Sequence, residues 1–124
     1  MARVLVVDDD PSLREMLAFI LESEGYEVAR ARDGAEAVAC LAQGWQPAVM
    51  LLDVLMPVMD GWAVCEWVAA HLTAHARPHI VILSASLAPG VALPLADAQL
   101  SKPFGVDAVL DLVRRFSVAL SQAA

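Results

Sequence analysis

An α/β fold built on a parallel sheet is predicted by three features of the sequence. Short β-branched runs alternate with amphipathic helical segments along the chain. The runs VLVV, AVMLL and IVIL are apolar throughout, as strands covered on both faces must be. Each of them stops at a polar residue, Asp8, Asp53 or Ser84. Together these point to the doubly wound arrangement, with helices on both sides of the sheet.

Taken in order, Arg3 to Val7 is the first strand, ending in Asp8-Asp9-Asp10. A helix follows from Pro11, a favoured first helical position, with Asp10 as N-cap and Ser12/Glu15 in capping-box spacing. Leu13, Met16, Leu17, Ile20 and Leu21 repeat with helical period, and Gly25 ends the helix. Tyr26 to Ala31 is the second strand. Asp33-Gly34 then turns into a short helix with Ala35, Val38, Leu41 and Ala42 inward. Pro47 precedes the third strand, Ala48 to Leu52, which ends at Asp53. A turn closing on Asp60-Gly61, with Asp60 as cap, leads into a helix burying Val64, Cys65, Val68 and Leu72. His79 to Leu83 is the fourth strand. From Ala85 to Ala98 the presence of Pro89, Gly90 and Pro94 leaves room for only a fragment of helix. A short fifth strand around Gln99 to Ser101 ends at Lys102. The last helix, about Gly105 to Leu120, turns Val106, Val109, Leu110, Val113 and Phe116 inward.

A chain of 124 residues suits one domain, residues 1–124, and no repeat or linker interrupts it. Composition is 59% hydrophobic, yet the longest uncharged run, His79 to Ala96, is broken by Pro89, Gly90 and Pro94, so no spanning helix is expected. The N-terminal apolar run stops at three acids and does not read as a signal peptide, which points to the cytoplasm. Fifteen acidic residues stand against eight basic ones, a net charge of -7, and the longest basic cluster is Arg114-Arg115. That balance argues against direct nucleic-acid binding, which needs a basic face. Cys65 reads as a small buried thiol, Cys40 as one on the outer helix face with Glu36 and Gln43. His71 and His75 share a helix face without a third ligand and read as solvated. Trp62 and Trp67 flank the third helix stripe.

In a doubly wound sheet, ligands bind outside the carboxyl ends of the strands. That edge should collect Asp8 and Asp9 from the first strand, Asp53 from the third, Ser84 from the fourth and Lys102 from the fifth. Two or three carboxylates in one cleft repel each other and call for a cation. Hard oxygen ligands without His or Cys favour Mg²⁺ over zinc. With Lys102 and the Ser84 hydroxyl opposite, the edge is suited to hold phosphate oxygens, and Asp53 is placed to act as a nucleophile.

The segments VLVVDDDPSLREML, LLDVLMPVMDGW, VILSAS and SKPF resemble, in this order, the receiver domains of two-component response regulators. The resemblance covers essentially the whole chain. It implies a flavodoxin-like, five-stranded parallel sheet of order 2-1-3-4-5. It further implies a Mg²⁺ site formed by Asp8, Asp9, Asp53 and the backbone carbonyl of Leu55. Asp53 would be the phospho-acceptor, Lys102 the phosphate-binding lysine and Ser84 the hydroxyl residue that moves toward the phosphoryl group. The Lys102–Pro103 bond is expected to be cis. The phosphodonor would be a sensor histidine kinase or histidine phosphotransfer protein, and the phosphorylated form would signal to a downstream protein partner or relay its phosphate, as a stand-alone regulator and not as a conventional enzyme.

Two features depart from that pattern. Gln99 occupies the position, three residues before Lys102, where receivers usually carry Tyr or Phe. The interval from Ser84 to Lys102 is also short, with a shortened or irregular fourth helix expected and any response to phosphate carried by residues 85–98. Two alternatives stand beside the phospho-acceptor reading. One is a degenerate receiver serving as a phosphorylation-independent interaction module. The other is a phosphohydrolase of the haloacid-dehalogenase type, disfavoured because Leu55 stands where its second aspartate is required.

Overall fold

The computed structural model describes residues 2–84 and 95–123, with residues 118–123 as backbone alone. Its elements run β1 (Arg3–Val7), α1 (Pro11–Ser23), β2 (Glu27–Ala31), α2 (Gly34–Ala42), β3 (Val49–Asp53), α3 (Gly61–His71), β4 (His79–Ser84), β5 (Ala96–Ser101) and α4 (Val106–Ala123). All strand pairs are parallel, in the order β2-β1-β3-β4-β5. The expected flavodoxin-like topology is therefore the one observed. The final expectation for residues 85–94 lies outside the described residues, whereas Ala96–Ala98, expected in the same irregular stretch, belong to β5.

The two-residue period of a strand sorts the apolar runs into two cores. Leu5, Val7, Met50, Leu52, Ile80 and Ile82 face one side, where they meet Ala37, Leu41, Val64, Cys65 and Val68 of α2 and α3. Val4, Val6, Val49, Leu51, Val81 and Leu83 face the other, against Leu17 and Leu21 of α1 and Val109, Leu110 and Val113 of α4. Burial of this kind contributes roughly 1.5–3 kcal/mol per large side chain, which is why the fully buried interior positions of the three central strands, residues 4–7, 49–52 and 80–83, are all apolar.

Caps follow the sequence closely. Asp10 accepts from the Ser12 and Leu13 amides, Asp33 from the Glu36 amide and Asp60 from the Ala63 amide. The Ser12/Glu15 capping box does not form; the Glu15 carboxylate is taken by Arg30 at 2.9 Å. Gly25, at φ 94, carries the turn after α1, and the Tyr26 amide still closes onto Leu21 there, so β2 starts at Glu27.

Several inward assignments shift. Met16, expected inward, is 43% exposed, and Ala18 is buried. In α2 the buried positions are Gly34, Ala37 and Leu41, whereas Ala35 and Ala42 face solvent. The cause is Gly34: its amide donates to the Met59 carbonyl at 3.0 Å, and a Cβ there would collide with that carbonyl. The closest approach of α2 thus falls at a residue with no side chain. Val106 is exposed at the first turn of α4, and Leu72 caps α3 half-buried. Phe116, also half-buried, stacks on His79. Cys40, expected outside, is half-buried against the α2/α3 core, where burial pushes its thiol pKa up. No helix among the described residues is long and apolar enough to cross a membrane.

Candidate functional site

The last residues of two parallel strands, β3 and β4, and the residues just after two others, β1 and β5, bring side chains to one edge. β1 continues its ladder one step, the Asp8 amide donating to the Ala31 carbonyl at 3.1 Å, so Asp8 is drawn fully inside. Its Oδ1 accepts from the Asp10 amide at 2.9 Å, and its carbonyl from the Arg14 guanidinium at 3.0 Å. Arg14 is a support that the sequence reading missed; its spacing six residues after Asp8, on the first turns of α1, is the signal that could have found it. Asp9, next along, stands exposed.

Asp53 closes β3 and is 6% exposed. The chain leaves it through a tight loop: the Gly61 amide donates to the Val54 carbonyl at 2.9 Å, and any Cβ on Gly61 would press on the Asp53 carbonyl. Leu55 stands on the rim of this loop, 61% exposed. Ser84 ends β4, buried, in register with Ser101. The Lys102 amide donates to the Ser84 carbonyl at 2.8 Å, extending the ladder past β5, and the following Lys102–Pro103 bond is cis, as expected.

Lys102 then reaches across the edge. Its Nζ lies 2.9 Å from Asp8 Oδ2 and 3.6 Å from Asp53 Oδ2. Burial alone would lower the lysine pKa, but the hydrogen bond and charge of Asp8, followed by Asp53, outweigh it and raise the value. Asp53 moves the opposite way from an ordinary ion-paired acid. Burial first and the Asp8 charge second push it up to about 6, against the pull of Lys102, with Asp9 adding to the rise. One ammonium does not neutralise three carboxylates.

Asp8, Asp9 and Asp53 each offer a carboxylate oxygen, all within 4.8 Å of one another. Oxygens around an octahedral Mg²⁺ at roughly 2.1 Å stand about 3–4 Å apart, so small side-chain adjustments would form one face of such a shell. The all-oxygen donor set and the unneutralised charge fit a hard divalent cation. Among the described residues no other group of this kind occurs; His71 instead stacks on Trp67, and His75 is exposed. Beside Lys102, a groove of about 490 Å³ is lined by Asp10, Leu13, Met16, Pro103 and Phe104.

An acidic pocket with a bridging lysine, at the carboxyl edge of a doubly wound sheet, defines a class of phosphoryl-handling site. The chain belongs to the response regulator receiver domain family, which matches residues 4–114, and with it to two-component signalling. It is 41% identical over 106 residues to the DNA-binding response regulator MtrA of Mycolicibacterium smegmatis, covering 82% of this chain and 44% of that protein. Among solved structures it is similar to a CheY-like receiver domain protein from Methanospirillum hungatei, with TM-score 0.85, 26% identity and 98% of each chain covered. It is likewise similar to the Thermotoga maritima response regulator TrrA in complex with Mg²⁺ and BeF, with TM-score 0.81, 31% identity, and 94% of this chain and 99% of that one covered. The chain spans about half the length of the curated relatives it matches, 44–49% among those most similar to it.

Proposed function

We propose that this receiver accepts a phosphoryl group onto Asp53 from a phosphohistidine of a sensor histidine kinase or phosphotransfer protein. The observation that carries the reading is the placing of Lys102 Nζ between Asp8 and Asp53, at 2.9 and 3.6 Å, beside a third carboxylate. Asp8, Asp9, Asp53 and the Leu55 carbonyl would hold Mg²⁺, which when bound supplies positive charge to the equatorial phosphoryl oxygens. An Asp53 carboxylate oxygen forms the new O–P bond while the P–N bond to the donor imidazole breaks, its electron pair leaving with the ring nitrogen. Lys102, whose Nζ lies 2.9 Å from Asp8 and 3.6 Å from Asp53, balances charge on the transferred group. The Ser84 hydroxyl, at the adjacent strand end, donates to a phosphoryl oxygen. The domain so read promotes its own phosphorylation and works in the cytoplasm. A net charge of -7 disfavours direct contact between this domain and nucleic acid, so the domain passes its signal through a protein surface or onward relay.

Intact mass after incubation with Mg²⁺ and a small phosphodonor such as acetyl phosphate tests this directly. A lasting single phosphate adduct supports the reading, whereas no adduct leaves only an interaction module. Continual consumption of donor without adduct points to a hydrolase.

Two further outcomes follow. Asp9→Asn removes an exposed ligand without touching the core, so folding persists while Mg²⁺ affinity falls by at least the roughly 10–100-fold typical of losing an outer-shell partner. An unchanged titration would remove Asp9 from the metal shell. The second concerns adduct lifetime. Leu55, exposed on the rim two residues after the acceptor, offers an attacking water no hydrogen bond. Leu55→Asn is expected to speed loss of phosphate several-fold, on the order of 1 kcal/mol in the barrier. A rate equal to or slower than that of the unmodified domain sinks this role.

A further inference from the structure

The β4–β5 ladder contains one extra residue. Ile80 pairs with Ala96, but Val81 pairs with Ala98, so Asp97 is bulged out of the register that the strand began with. Its side chain occupies the place the ladder gives up: Oδ2 accepts the Ile80 amide at 2.8 Å, a bond that backbone would otherwise supply. The other oxygen, Oδ1, lies 3.5 Å from His79 Nδ1, and the His79 ring is stacked on Phe116 of α4 at 4.8 Å. Asp97 is thus tied to β4 and, through His79, to the helix behind the sheet.

The consequence lies at the far end of the strand. After the bulge, Ile82, Leu83 and Ser84 pair with Gln99, Leu100 and Ser101, and the Lys102 amide bonds to the Ser84 carbonyl. Were Asp97 taken into the ladder opposite Val81 and the bulge lost, Ser84 would face Leu100. Lys102 would then sit one residue, roughly 3.3 Å, further past the edge, with its side chain turned to the other face. Neither the 2.9 Å contact to Asp8 nor the 3.6 Å approach to Asp53 survives such a slip. Core packing opposes slippage only weakly here, because the inward residues of β5 are Ala98 and the half-buried Leu100.

We infer that Asp97 is a positioning residue for phosphorylation: by holding the bulge at Ile80 it sets the register that brings Lys102 to the acidic pocket. This rests on the phospho-acceptor reading above. The metal-binding carboxylates come from β1 and β3, so loss of Asp97 must affect phosphorylation and spare metal binding.

Three variants test it, each assayed for Mg²⁺ affinity and for the rate of adduct formation with acetyl phosphate. Asp97→Ala is expected to form adduct at least about tenfold more slowly, since misplacement by an ångström can cost ~10²-fold, with Mg²⁺ affinity unchanged. Asp97→Asn keeps an acceptor for the Ile80 amide and should restore the rate. Deletion of Asp97 leaves Ala96 opposite Ile80 and Ala98 opposite Val81 with no extra residue, and should also restore it. A normal rate in Asp97→Ala, an equal loss in all three, or a parallel loss of Mg²⁺ affinity overturns the inference. Should Asp97→Ala not fold, slow adduct formation in either of the other two does so. If the unmodified domain forms no adduct, the phospho-acceptor reading fails instead. Register is then read by the NMR cross-strand contact of Val81, which must move from residue 98 to residue 97 in Asp97→Ala.

Discussion

Asp53→Asn forms no phosphate adduct under conditions that label the unmodified domain. The expectation is severe because the substitution removes the attacking atom itself; loss of a nucleophile typically costs on the order of 10⁴-fold or more. Asp8 and Asp9 do not substitute for it. Asp8 Oδ1 and Oδ2 are already engaged by the Asp10 amide and Lys102, and Asp9 is the solvent-exposed member of the cluster, without the burial that sets Asp53 against Lys102. Lys102→Ala gives the complementary result. It takes away charge that faces Asp8 and Asp53 yet belongs to no metal ligand, so Mg²⁺ still binds while adduct formation falls by roughly 10²–10³-fold, the scale of losing one preorganised electrostatic partner. Phosphate found on Asp53→Asn by peptide mapping would assign the chemistry to another acid. A Lys102→Ala domain labelled at the normal rate would show that its ammonium serves only as a counter-ion in the resting pocket.

The pocket could be read from the sequence because a parallel sheet imposes it. Apolar runs covered on both faces can end only where the chain meets solvent, and each of those ends was marked by Asp8, Asp53 or Ser84, with Lys102 following the last strand. The caps at Asp10 and Asp60 were legible for a similar reason, since each is a local bond to the chain just ahead, whereas Asp33 read only as a turn and proves to cap α2. What escaped was set by contacts between distant segments. Gly34 turns α2 by the closeness of the Met59 carbonyl, so the inward face had to be Ala37 and Leu41 rather than Ala35 and Ala42. Ala18 replaced Met16 on the buried face of α1, a difference of small side chains to which hydrophobic periodicity is blind. The bulge at Asp97 was the least visible of all. An aspartate between two alanines after a proline reads as loop, and its role depends on an amide seventeen residues earlier in the chain.

In the absence of divalent cation, Asp53→Asn is expected to be more stable than the unmodified domain at pH 8. The native pocket holds the Asp53 carboxyl at about 6, above the 3.8 of a free aspartate, because folding strips its water and sets it beside Asp8. A carboxyl raised on folding stabilises the native state fully below about pH 4, where both states are protonated alike, relative to neutral pH. That contribution is lost as the pH rises through about 6, since the unfolded chain ionises freely and the folded one does so at a cost. A rise of about two pH units corresponds to at most about 3 kcal/mol, and pocket relaxation reduces it, so a gain on the order of 1–3 kcal/mol is expected from the substitution. Little is lost in exchange, because Lys102 keeps its closer contact, 2.9 Å from Asp8. Melting curves in chelator from pH 4 to 8 should therefore separate as the pH rises, with the two proteins converging at the acidic end. Saturating Mg²⁺ should lift the unmodified domain at pH 8 and move Asp53→Asn less. An Asp53→Asn domain that melts lower than the unmodified one at pH 8 in chelator would mean that the attraction of Lys102 outweighs burial and the Asp8 charge, and that the resting pocket is an ion pair in balance and not an acidic site awaiting a cation.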